Sequence, residues 1–118
     1  MSKPWSIKRQ ERFWKLCGFT LHKRNGKDTF RCWKDPSGRL YTLKHMPALD
    51  MNNLYAYAVK KLISTGLEAG MDYGQIDKIW HAGFWRPECS TQEVYIDPDL
   101  GMALATACEK ALLAEQKA

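Results

Sequence analysis

FTLHKRNGKDTFRCWKDPSGRLYTLK, residues 19–44, is three short runs of mixed apolar and polar residues separated by two turn signatures. Phe19 and Leu21 alternate with Thr20 and His22, the period-two pattern of a strand. Asn25-Gly26 tolerates the positive φ values of a tight hairpin, so the chain is expected to reverse there. The next run, Thr29 to Trp33, puts Phe30 and Cys32 on one face and Arg31 and Trp33 on the other. Asp35-Pro36-Ser37-Gly38 is a second turn by composition, and Arg39 to Leu43 returns as a third strand until Pro47 breaks it. Residues 19–44 therefore predict a three-stranded antiparallel meander.

Working outward, helices flank it. Ser6 is a suitable N-cap and Gly18 a C-terminal stop, which predicts a helix over about 6–17 with Ile7, Trp14 and Cys17 inward. Lys8, Arg12 and Lys15 recur at i, i+4 and i+7 and give that helix a basic outer side. Asp50 caps a helix over about 51–65, with Met51, Leu54, Tyr55, Ala58 and Leu62 as its apolar stripe and Gly66 at its end. Residues 70–96 fit neither period cleanly: Tyr73, Ile76, Ile79, Trp80, Phe84 and Trp85 read as short strands or an irregular segment, closed by a strand over 93–96. A last helix, about 99–116, starts at Asp97 or Asp99 and turns Leu100, Leu104, Ala107, Cys108, Ala111 and Leu112 inward, with Thr106, Glu109 and Lys110 outward. The class is α+β: an antiparallel sheet of the meander plus one or two further strands, covered by helices, in a single domain of 118 residues.

Charge is unevenly spread. Residues 1–45 hold twelve Lys or Arg against three Asp or Glu, a net +9, whereas the remainder carries six against ten, a net −4. A phosphate-bearing partner is therefore expected to approach through the first half, and a protein this basic is a poor candidate for mimicry of DNA, which needs dense negative charge. The four cysteines (Cys17, Cys32, Cys89, Cys108) form no close pair and read as reduced core residues. His22, His45 and His81 are too scattered to mark a zinc site. The opening MSKPWSIKRQ lacks the apolar stretch of a secretion signal, and no apolar run nears the roughly 18 to 20 residues of a spanning helix, so a cytoplasmic protein with no membrane partner is expected.

Nucleotide-binding and hydrolase signatures are absent: no G-x-S-x-G, no P-loop, no H-E-x-x-H and no G-x-G-x-x-G. Neither a catalytic residue, a metal nor a cofactor is expected. What the sequence offers instead is cations interleaved with aromatics. Arg31, Lys34, Arg39 and Arg86 are the candidate phosphate ligands; Trp33, Trp80 and Trp85 are the candidate stacking surfaces for a base. The same tryptophans also suit a core, and both readings stand at this level.

Three stretches, WKDPSG (33–38), MPALDMNNLYAYAVKKL (46–62) and ALATACEKALL (103–113), together resemble small bacteriophage accessory proteins of the phage ABA-sandwich domain family. That family carries a W-x-x-P-x-G turn, a proline followed by a D-L-N-A-like helix, and an Ala-rich last helix. The resemblance runs in order over about residues 13–115. It implies a three-layer α/β/α arrangement, a phage origin and a place in the host cytoplasm. By analogy with such accessory proteins, the expected function is anti-defence: non-catalytic sequestration of an anionic ligand, a nucleotide immune signal, by a homo-oligomer. The alternative is an inhibitor that docks on a host defence protein such as a CRISPR complex, and a third reading is nucleic-acid binding in phage replication or transcription.

Overall fold

In the computed structural model, which describes residues 5–23, 31–42, 47–88 and 93–117, Ser6 accepts the Arg9 N–H at 3.2 Å and starts α1, Ile7–Leu16. The helix ends in a Schellman turn, with Gly18 N–H on Lys15 O and Phe19 N–H on Trp14 O, both at 3.0 Å. Gly18 sits at φ +102°, a value glycine reaches without steric cost. Phe13, Trp14 and Cys17 are buried, whereas Ile7 is 72% exposed, which corrects the expected inward face. Ile7 shares the Trp14 stripe but lies two turns, about 10 Å, nearer the start of the helix.

β1 (Thr20–Lys23), β2 (Arg31–Lys34) and β3 (Leu40–Thr42) form an antiparallel sheet in that order. Leu21, Trp33 and Tyr41 lie abreast across it. An aromatic chain runs from Trp5 to Phe13, Trp14, Phe19 and Tyr41, with successive ring centroids 5.0–6.0 Å apart, and forms the centre of a compact unit, residues 5–48. Large aromatic surfaces give a short chain much of its burial per residue, which is how so small a unit acquires a core. Asn25-Gly26, Phe30, His45 and Cys89 lie outside the described residues.

Residues 49–118 form the other compact unit. Asp50 caps its first helix, its Oδ1 accepting Asn53 N–H at 2.9 Å. That helix is α2 (Met51–Leu54), a π-helical turn (Tyr55–Val59) and α3 (Lys60–Ser64) in succession. The wider π turn shifts the helix phase by about a residue. Val59 thereby joins Leu54, Ala58 and Leu62 in the core, while Tyr55 is left 41% exposed, a correction to the expected stripe.

The segment 70–96 is regular. β4 (Glu68–Gly74), β5 (Ile79–Trp85) and β6 (Glu93–Asp97) make a second antiparallel three-stranded sheet. The α+β class is as expected, and the additional strands pair among themselves in place of extending the first sheet. Their periodicity is hidden because Gly70, Gly74 and Gly83 occupy strand positions without contributing side chains to either face. α4, Leu100–Lys117, packs on β5 and β6 and starts where Asp99 Oδ2 accepts Met102 N–H at 3.1 Å. Ala103, Leu104, Ala105, Ala107, Cys108 and Leu112 are buried along it. Among the described residues, no helix is long and apolar enough to cross a membrane.

Candidate functional site

Four of the seven candidate residues, Arg31, Trp33, Lys34 and Arg39, belong to the 5–48 unit, and Trp80, Trp85 and Arg86 to the 49–118 unit.

In the first unit the turn between β2 and β3 is built on Asp35. Its Oδ1 accepts Ser37 N–H at 2.9 Å, Ser37 Oγ–H at 2.7 Å and Arg39 N–H at 2.8 Å, and its N–H bonds to Arg39 O at 2.9 Å. A carboxylate that accepts several donors is satisfied when withdrawn from water, and Asp35 is only 4% exposed. This has two effects. The turn fixes the start of β3, so that Arg39 lies with its guanidinium carbon 5.3 Å from the centroid of the Tyr41 ring. It also takes one of the unit's few negative charges off the surface.

A second cation comes from the helix. Lys15 Nζ stands 5.6 Å from the centroid of Trp33, the residue paired with Tyr41 in the adjacent strand. Two neighbouring rings on one sheet face are thus each met by a cation, one from α1 and one from the turn that leads into β3, an attraction between positive charge and ring quadrupole. Trp33 itself is 3% exposed, and its indole N–H is buried with no acceptor among the described residues. Its face is therefore part of the packing and is not open to a base. Lys34, the next residue of β2, points to the other face and is exposed, as are Lys8, Arg12, Lys15 and Arg39. Arg31 opens β2 opposite Lys23.

In the second unit β5 splits its candidates between two faces. Trp80 is half-buried on the α4 side and stacks at 5.0 Å on Tyr73. Trp85 lies on the opposite face, its indole N–H donating to Glu68 Oε2 at 3.2 Å. Arg86 donates from Nη2 to Glu115 Oε1 at 2.7 Å and from Nη1 to Thr65 O at 3.2 Å, tying the end of β5 to α4 and to the turn after α3. Both acceptors belong to the protein itself, so much of its hydrogen-bonding capacity is taken up within the fold.

The arrangement can attract and hold phosphates on the first unit. Sequence reasoning singled out the turn and strand cations but treated Lys8, Arg12 and Lys15 only as the outer side of a helix. Their i, i+4, i+7 spacing was the available signal, and the missing information was that α1 delivers Lys15 to Trp33. Among the described residues, no group of three or more His, Cys, Asp and Glu side chains is gathered to hold a metal ion. No family model, curated protein or solved structure matches the chain.

Proposed function

We propose that the protein is a non-catalytic binding protein whose 5–48 unit holds a partner carrying repeated phosphates, a nucleic-acid strand. The observation that carries this reading is the set of exposed cations Lys8, Arg12, Lys15, Lys34 and Arg39 on a unit that holds eleven Lys or Arg against three acids, one of which, Asp35, is buried. From Lys8 to Lys15 the stripe spans about 10 Å along the helix axis, a length suited to more than one phosphate of an extended strand. The ring nearest Lys15 is covered, so phosphate contact outweighs base stacking and the binding is tolerant of sequence.

In an anti-defence setting, drawn by analogy with small phage accessory proteins, the strand is an RNA of the host defence machinery, and occupation of its backbone blocks that machinery. A nucleotide signal presents fewer phosphates and gains more from an open ring. The experiment is a titration of fluorescein-labelled 20-nucleotide RNA and DNA by anisotropy at low salt, beside calorimetry with cyclic nucleotides. Binding of both strands with weak or no nucleotide binding supports the proposal; a preference for a cyclic nucleotide overturns it in favour of sequestration.

A further inference from the structure

The face of the β4–β5–β6 sheet turned away from α4 carries an open hollow of about 360 Å³, lined by Gly70, Asp72, His81, Gly83, Trp85 and Val94 among others. Register explains it. Gly70 and Gly83 face each other across β4 and β5, so two adjacent floor positions have no side chain. Trp85 fills part of that space: a Cβ on Gly70 would stand 2.4 Å from its ring, so the indole reaches over Gly70 of β4, with its N–H held by Glu68. At the other end Asp72 lies opposite His81, whose Nε2 is 3.0 Å from Asp77 Oδ2. Beside the hollow, Val94 and Ile96 are 46% and 60% exposed on the same face.

We propose that this face docks an arginine- or lysine-bearing segment of a partner protein, with the cationic head between Trp85 and Asp72. Charge complementarity names the occupant. Glu68, Asp72 and Asp77 surround the hollow; of the described cations close in sequence to its lining, Lys78 lies in the turn between β4 and β5, and Arg86, next to Trp85, donates to Thr65 O and Glu115. Trp offers the best π-face for a cation, and Asp72, exposed and with no bond to any described residue, is the carboxylate left to receive the head group. Val94 and Ile96 suit the methylene stem that Arg and Lys lay along apolar surface. A phosphate would be repelled here, so this surface is independent of the one that holds nucleic acid.

The test is a titration of the whole protein with acetylated hexa-arginine amide, following the indole N–H resonance of Trp85 by NMR, with acetylated hexaglutamate as the opposite-charge control. The expected result is a saturable shift of the Trp85 signal with hexa-arginine only, weakened at least fivefold by Asp72→Asn and little changed by Glu109→Gln on α4. Asp72 is exposed, so its substitution leaves the fold intact. An unmoved Trp85 signal, or equal weakening by the two variants, overturns the proposal.

Discussion

Arg86 and Glu115, 29 residues apart in sequence, meet at 2.7 Å and join the end of β5 to the last turns of α4. The pair is partly exposed, with side chains 39% and 27% accessible, so solvent screens it and its worth lies near the upper end for a surface pair. Arg86→Ala also frees Thr65 O. Urea denaturation of that variant is expected to register a loss of about 1 kcal/mol, with Glu115→Gln losing less, because Gln still accepts a hydrogen bond. No change in nucleic-acid affinity is expected from either.

Gly70→Ala places a methyl where the Trp85 ring lies, 2.4 Å from the nearest ring atom. The indole must lift from β4 and give up its bond to Glu68. A destabilisation of about 1 to 3 kcal/mol follows from such overpacking, and Trp85 becomes more hydrated. Denaturation midpoints read the first effect and a downfield or broadened Trp85 indole resonance the second.

Asp35→Ala removes the acceptor of three hydrogen bonds at a site that is almost fully buried. Two backbone donors and one hydroxyl then lack it, at a cost of about 2 to 3 kcal/mol. Since the same bonds seat Arg39 over Tyr41, loss of nucleic-acid affinity should accompany the loss of stability. A thermal melt together with the anisotropy titration checks both.

Tyr95 has its phenol pKa raised above 10.0, by burial first and then by Glu93, to which its O–H donates at 2.8 Å and whose charge opposes formation of a phenolate. A group whose folded pKa is raised contributes stability that is fully present below the unfolded pKa and is lost as pH rises through the folded value. The contribution is therefore intact at neutral pH and lost only above pH 10. Absorbance titration at alkaline pH should show Tyr95 among the late-ionising tyrosines, and Glu93→Gln should move it back toward 10.0.

Much of this architecture was legible from local chemistry. Ser6, Asp50 and Asp99 announced the starts of three helices because a short polar side chain can satisfy a first-turn N–H only there. Asp35 to Gly38 announced a turn for the same kind of reason. The π turn at Tyr55–Val59 was not legible, since YAYAV carries no residue that demands it and the i, i+4 stripe is equally good on paper. In the site, alternation put Trp33 on a defined face but could not say that α1 would bring Lys15 to it. Nor could it split Trp80 from Trp85 in use, although their separation by five positions, an odd number, settles their opposite faces. The hollow at Gly70 and Gly83 had a signal: the two glycines stand symmetrically about the 75–78 turn, and a hairpin centred there must pair them.

The central claim, that exposed cations of the 5–48 unit hold a phosphate backbone, is tested most directly by the salt dependence of single-stranded RNA binding for the wild type and for Lys8→Gln/Arg12→Gln/Lys15→Gln. All three residues are exposed, so the variant keeps the α1 core. Each phosphate contact contributes about −0.7 to the slope of log affinity against log salt for a single strand. The account predicts a steep wild-type slope that flattens by about 2 in the triple variant, with binding at least tenfold weaker at low salt. A slope near zero, or one unchanged by the three substitutions, would contradict it.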